Sequence, residues 1–258
     1  MAHQAPGGTE LETMREPRAL AAKAEAYSAL PKGDDERFAG WGLMGLSFHS
    51  GDVLAMRRFP ASSLGKGYSS VWHRDPGGAW TIWSDAPPLE SCARYFGAAL
   101  TRALTAPIDI DWEGPRRLRV SVPSANLTWT MALGANAATQ SLNAVSRALP
   151  DAAWRSPVVL GAMARLAGPM LHAGHLGLSG HVPSGQSFVA NPMTIWIVEA
   201  SSAALDGRDF GAPEPLATQA RLGDFWIPQR GLFAVGRAFF EPADPSRHRL
   251  VAAGRAPS

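Results

Sequence analysis

Cysteine occurs once in the 258 residues, at Cys92, which excludes an internal disulfide and any CxxC redox or metal motif. Lysine is nearly as scarce: Lys23, Lys32 and Lys66 are the only three, so the basic residues are mostly arginine. The formal net charge is +2 and no dense Lys/Arg patch is present, which argues against a nucleic-acid partner. No apolar run approaches the roughly 18 residues needed to cross a bilayer. The first residues, "MAHQAPGGTELETMREPRAL", have no apolar core ahead of their charges and do not read as a secretory signal. These absences predict a soluble cytoplasmic protein with no membrane span; the oligomeric state stays open.

What is present belongs to a folded protein. Hydrophobic residues make up 46% and charged residues 18%. The length allows one large domain or two units of roughly 110 residues. Residues 1 to about 12 are polar and glycine-rich and read as disordered. "EPRALAAKAEAYSAL" (16–30) is alanine-rich and predicts a helix stopped by Pro31. From Trp41 the pattern turns to strands. In 108–133 Ile108, Ile110 and Trp112 alternate with Asp109 and Asp111, then Leu118, Val120 and Val122 with Arg117, Arg119 and Ser121. Trp129, Met131 and Leu133 continue the period of two, which predicts an antiparallel meander with one wet face. Asp109 and Asp111 are expected to face Arg117 and Arg119 as a surface charge ladder. Two helices follow, over 136–149 before Pro150, and from Ser156 as N-cap with Pro157 at the first turn, ended or kinked by Pro169. Strand character then returns in 175–201 and 230–241.

The stretch "WHRDPGGAWTIWSD" (72–85) holds three tryptophans, a histidine and two aspartates around a turn. Asp75-Pro76-Gly77-Gly78-Ala79 suits a three-residue hairpin loop with Gly78 at positive φ. That register pairs Arg74 with Trp80, Val71 with Trp83 and Ser69 with Asp85. One face then carries Tyr68, Ser70, Trp72, Trp80 and Ile82; the other carries Ser69, Val71, His73, Trp83 and Asp85. A two-residue loop would shift the register and take His73 and Asp85 off one face. A second stretch, "TIWIVEASSAALDGRDFGA" (194–212), aligns with "TIWSDAPPLESCARYFGA" (81–98) with a single inserted residue. Trp83 matches Trp196, and Asp85 matches Glu199. Internal duplication and common strand chemistry both explain the match.

Tandem β-rich stretches, tryptophan-crowded hairpins and a Trp-x-Asp strand resemble the lipocalin-like group of carotenoid 1,2-hydratases and related cofactor-free cyclases. The resemblance implies a mainly β fold: antiparallel strands in two lipocalin-like halves, as barrel or sandwich, with an N-terminal helix and a helical interlude. The corresponding division is a tail and helix (1–38), a first half (39–134), a helical connector (135–171) and a second half (172–258). It also implies a polyene, terpenoid or polyketide-like substrate, no cofactor, and acid chemistry at Trp72, His73, Trp83 and Asp85. The chain is short for that group and matches no complete motif of it.

The residues can be weighed without the family. Protonating an alkene needs a strong acid against a low-dielectric wall. An aspartate would need its pKa raised by roughly 3 units, about 4 kcal/mol of desolvation, to stay protonated near pH 7. Trp72, Trp80 and Trp83 would supply such a wall and stabilise a cation by their faces. The candidate catalytic residues are therefore Asp85 as proton donor and His73 as its relay, with Glu199 structural. Tyr68, Trp72, Trp80, Trp83, Trp196 and Trp226 are the candidate substrate wall. The competing reading makes Asp85 a solvated strand end and the tryptophans core.

Other patterns carry less. His172, His175 and His181 contain an H-x-x-H spacing that would ligate a metal with Glu199 only if one helix held it, and Gly174 interrupts it; no metal is expected. "LGKGYSS" lacks the ending of a phosphate loop, and "GLSGH" is not a nucleophile elbow. Asp224, Trp226, Gln229 and Arg230 form either a pocket rim or a turn. The sequence thus points to a small hydrophobic ligand in an aromatic β pocket, transformed without a cofactor by hydration, isomerisation or cyclisation. The alternatives are a non-catalytic carrier or sensor, and a structural or interaction protein. A buried ionisable group in the pocket would favour catalysis; a purely apolar pocket would favour carriage.

Overall fold

A computed structural model describes residues 16–27 and 29–250; the disordered stretch expected at 1–12 lies outside them. The first element is helix α1 (Pro17–Ala26), with Pro17 opening its first turn. It is shorter than the expected 16–30. Four strands follow: β1 (Glu36–Ser47), β2 (Val53–Ser62), β3 (Lys66–Arg74) and β4 (Trp80–Ser84). A short helix, α2 (Ala93–Phe96), precedes β5 (Arg102–Thr105), β6 (Asp109–Trp112), β7 (Arg117–Val122) and β8 (Leu127–Gly134). Then come α3 (Ala137–Ala148) and α4 (Pro157–Met170). The C-terminal strands are β9 (Ser179–His181), β10 (Ser187–Leu205), β11 (Arg208–Asp209), β12 (Arg221–Leu222), β13 (Phe225–Trp226) and β14 (Leu232–Phe240).

The fold is mainly β, and twelve strands form one sheet along the path β5-β4-β3-β2-β1-β14-β10-β8-β7-β6, with β9 and β11 also on β10. Strands from the two stretches read as halves interleave: β14 lies between β1 and β10, and β10 pairs with β8. The expectation of antiparallel strands is corrected at one pair, because β4 and β5 are parallel. The 17 residues between them carry the chain back across the sheet, which a parallel neighbour requires.

Alternation of side chains along the strands gives the sheet two buried faces. On one, Leu54, Met56, Val71 and Trp83 join Leu118, Val120, Trp129 and Phe233 in a single cluster. The sheet curls around this face. Trp112 of β6, at the far end of the path, lies 5.9 Å from both Trp41 of β1 and Phe233 of β14. The inside of the curl is therefore filled by side chains. The outer face carries Val53, Ala55, Tyr68, Trp72 and Ile82, and farther along Ile195, Leu232 and Ala234. It is covered by α2, the β12–β13 hairpin, α3 and α4, which contribute Tyr95, Phe225, Leu142 and Ala167 respectively.

Helix ends follow local chemistry. Asn136 and Thr139 form a capping box on α3, and Ser156 accepts from the Val159 N–H at the start of α4. α4 runs one residue past Pro169. Among the described residues no helix is long and apolar enough to cross a membrane. On the meander, Asp111 stands opposite Arg119 and Asp109 opposite Ser121, but the Arg117 and Arg119 side chains approach Glu113, at 3.8 and 3.9 Å. The expected ladder is thus centred on Glu113.

Candidate functional site

The hairpin at 72–85 has the three-residue-loop register. Arg74 pairs with Trp80 and Val71 with Trp83, and the Asp85 N–H donates to the Ser69 carbonyl. Gly78 sits at φ +96°, and Asp75 accepts from the Ala79 N–H at 2.8 Å, closing the turn. This register sends Tyr68, Ser70 and Trp72 to the outer face of the sheet. There a cavity of about 150 Å³ opens between the sheet and its covering helices.

The cavity wall is built from pairs across β2 and β3. Ala55 faces Trp72, Arg57 faces Ser70 and Phe59 faces Tyr68. Cys92, just ahead of α2, closes over them: Tyr68 Oη lies 3.2 Å and Ser70 Oγ 3.4 Å from its Sγ, and Trp72 Nε1 donates to Ser70 Oγ at 3.1 Å. Burial pushes the Tyr68 phenol and the Cys92 thiol up from their ordinary values, so both stay neutral. Phe96, Phe188 and Phe225 continue the aromatic wall, and Trp226 and Leu176 line it farther along. Gly40 and Gly236 are partners on β1 and β14 at the same wall. A Cβ on either would run into the neighbouring backbone, the Arg58 or the Asn191 carbonyl oxygen, so these positions admit no side chain.

Besides the half-buried Arg237, the wall carries the buried charge of Arg57. Its Nη1 donates to the Leu43 carbonyl and, at 2.8 Å, to the Met56 carbonyl; its Nη2 donates to the Met44 carbonyl at 3.2 Å. Leu43 and Met44 belong to the stretch of β1 where the register with β2 shifts. The guanidinium carbon lies 5.0 Å from the Trp72 ring centre and 5.5 Å from that of Phe225. Burial draws the Arg57 pKa down to about 10, which leaves it a cation near neutral pH. Reading the chain by type missed this residue, yet a signal was there. Val53, Ala55, Arg57 and Phe59 share one face of a strand, and an arginine interrupts an otherwise apolar row.

Of the expected substrate wall, Tyr68, Trp72 and Trp226 line the cavity. Trp80 is buried on the same face among core residues. Trp83 and Trp196 lie in the cluster on the inner side of the curl. Asp85 is exposed at the end of β4, where its Oδ1 accepts from the Ser69 N–H at 2.7 Å. Glu199 is exposed, at a register shift of β10. His73 is buried and bonds a different carboxylate: its Nε2 lies 2.6 Å from Asp52 Oδ1. Arg208 grips the same Asp52 through Nη1 at 2.6 Å and Nη2 at 2.9 Å. The His73 ring stacks between Phe210 and Trp83, at 5.6 and 6.1 Å. Burial pushes the Asp52 carboxyl up, and the hydrogen bonds from Arg208 and His73 outweigh it and hold the group below its ordinary value.

His175 packs against Trp226 at 4.6 Å, and His181 Nδ1 lies 3.7 Å from Asp224. Among the described residues no three of His, Cys, Asp and Glu gather as a metal site. Lys23, Lys32 and Lys66 are all exposed.

No family model matches the chain, and no curated protein matches it. Among solved structures it is similar to an acetoacetate decarboxylase from Legionella pneumophila subsp. pneumophila str. Philadelphia 1, with a TM-score of 0.38 and 13% identity over 99% of this chain and 100% of that one. A second acetoacetate decarboxylase structure gives a TM-score of 0.35 and 10% identity over 88% and 93%. At these values no activity and no residue role passes from those proteins to this chain.

Proposed function

We propose that this protein binds a small, ring-sized hydrophobic molecule in the cavity on the outer face of its sheet. The observation that carries the reading is an aromatic-walled cavity that reaches a buried, polar end at Arg57, Tyr68 and Cys92. Concave, mostly apolar sites with a few placed polar groups are what small-molecule binding requires. The volume narrows the ligand. A cavity of about 150 Å³ takes a molecule of roughly benzene size, so a single ring or a short branched chain fits and a carotenoid-length polyene does not. Apolar burial less the cost of association gives dissociation constants of roughly micromolar to millimolar.

A second reading, transformation of the ligand without a cofactor, has its own observation. The Arg57 cation stands at one end of the cavity beside the Tyr68–Cys92 pair, which keeps one hydrogen after Trp72 has donated to Ser70, Ser70 to Cys92 and one of the pair to the other. A cation there stabilises a developing oxyanion, which suits isomerisation beside a carbonyl better than alkene protonation, for which no carboxylic acid among the described residues lines the wall.

Tryptophan emission tests the binding reading, because Trp72 and Trp226 line the cavity. Single-ring ligands are expected to quench saturably and to raise the melting temperature, and Trp226→Phe to remove part of the quench. A panel of monocyclic terpenoids and substituted benzenes that produces neither change would end it.

A further inference from the structure

Arg57 differs from the other buried charges of this protein. Glu36 is buried and held by Arg94 at 2.7 Å; Asp52 is buried and held by Arg208 through two bonds. Arg57 is buried and, among the described residues, bonds only carbonyl oxygens, those of Leu43, Met44 and Met56. A carbonyl satisfies a donor without neutralising a charge, and a buried charge needs a counter-charge. The nearby acidic groups, Tyr68 and Cys92, are kept neutral by burial. The Trp72 and Phe225 faces stabilise the cation only in part.

The guanidinium also has donors to spare. It carries five N–H bonds, and its bonds to described residues use both hydrogens of Nη1 and one of Nη2. Nε and a second Nη2 hydrogen are left. Nε and Nη2 form the edge by which three other arginines hold carboxylates, Arg58 on Glu25, Arg94 on Glu36 and Arg116 on Glu16. At Arg57 that edge has no carboxylate among the described residues, and the residue is part of the cavity wall.

We infer that the ligand of this cavity is a monoanion, a ring-sized carboxylate whose head pairs with the Nε–Nη2 edge of Arg57 while its body lies among Trp72, Phe96 and Phe225. The inference rests on the binding reading above and adds the charge of the ligand to it. Tyr68 Oη and Cys92 Sγ stand 3.2 Å apart beside the same end; one donates to the other, which leaves the pair one hydrogen for a ligand. A planar, bidentate match between guanidinium and carboxylate also separates an acid from a neutral isostere of the same shape.

The experiment compares benzoate with benzamide by calorimetry and tryptophan emission at pH 7, on the full chain and on its Arg57→Lys and Arg57→Met variants. Benzoate is expected to bind about 10- to 100-fold more tightly than benzamide to the unaltered protein. Arg57→Lys, which keeps the charge and loses the fork, should reduce that ratio, and Arg57→Met should bring it near one. Equal affinities, or tighter benzamide binding, in the unaltered protein would overturn the inference and leave the hydrophobic site standing. This arm holds even if Arg57→Met fails to fold once its three carbonyls lose their donor. A ratio retained in a folded Arg57→Met variant would also overturn it, by placing the anion elsewhere. Binding of neither compound, nor of any uncharged ring in the panel, would remove the site itself and the inference with it.

Discussion

Asp52 shows what a single buried carboxylate contributes when it is paired on every side. Its two oxygens take Arg208 and His73, with the imidazole clamped between Phe210 and Trp83. Because the folded carboxyl titrates below its unfolded value of about 3.9, the group adds stability above roughly pH 4 and loses it as pH falls through the folded value. Glu36 has the same sign: burial pushes it up, and Arg94, Tyr95 and the Ala243 N–H outweigh that. Urea unfolding between pH 7 and pH 3 is therefore expected to show stability dropping below about pH 4. Asp52→Asn should cost about 1–3 kcal/mol at pH 7, because a weaker acceptor replaces the buried carboxylate that His73 and the half-exposed Arg208 bond, and should weaken the acid dependence. A flat profile in the unaltered protein would contradict the assignment. Asp85 makes the contrast. It is exposed and bonds one backbone N–H, so Asp85→Asn is expected to change stability by about 0.5 kcal/mol or less and ligand affinity by less than about twofold. A loss of binding in that variant would restore Asp85 to the site.

At the scale of the element, α3 is pinned to the sheet by one side chain. Asn143 accepts from the Ile195 N–H at 2.8 Å and donates to the Ile195 carbonyl at 2.9 Å, close to where the register of β10 and β14 shifts. It thereby satisfies two backbone groups that the irregular strand leaves over. Asn143→Ala should cost about 2 kcal/mol and lower the melting temperature by roughly 4–8 °C. Asn136→Ala, which removes the cap of the same helix, should cost about 1 kcal/mol. Calorimetric melting of the two variants checks the order; a larger effect at Asn136 would mean that helix initiation, not docking, holds α3 in place. Since Leu142 and Ser146 of α3 line the cavity, the docked helix is also what keeps the outer wall closed.

For the whole molecule, the order of strands decides which pieces can fold alone. β1 has β2 on one side and β14 on the other, and β8 has β7 and β10. A fragment of residues 39–134 would keep β2 to β8, and β1 without its first three residues, but lose both C-terminal partners, exposing two strand edges and the apolar residues beneath them. It is expected to give an amide spectrum without dispersion, whereas the full chain gives a dispersed one. A dispersed spectrum from the fragment would establish the first half as an independent unit. The curl adds a second consequence. With its inner side filled by Trp41, Trp112, Trp129 and Phe233, the sheet has no lumen at that cluster, and the described ligand-sized cavity lies on its outer face.

Much of this was local enough to be legible in the residues themselves. Period-two alternation located the meander, the Pro-Gly-Gly turn narrowed β3 and β4 to two registers, of which the three-residue loop is the one formed, and Ser156-Pro157 marked the start of α4. Each depends on neighbours within a few positions. The alternation also announced that β3 has two unlike faces, with Tyr68 and Trp72 on one and His73 and Trp83 on the other. It could not say which face would be filled by distant strands and which would be left with a void. That was settled by β14 entering between β1 and β10, by Trp112 meeting Trp41 around the curl, and by two helices closing over the outside. His73 acquired Asp52 rather than Asp85 for the same reason, since the pairing of β2 with β3 brings Asp52 to it. Secondary structure and turn register follow from short-range sterics and hydrogen bonding, whereas a cavity is the space that many long-range packings together fail to fill. Only the tertiary structure could decide where that space lies and that Arg57 stands in its wall.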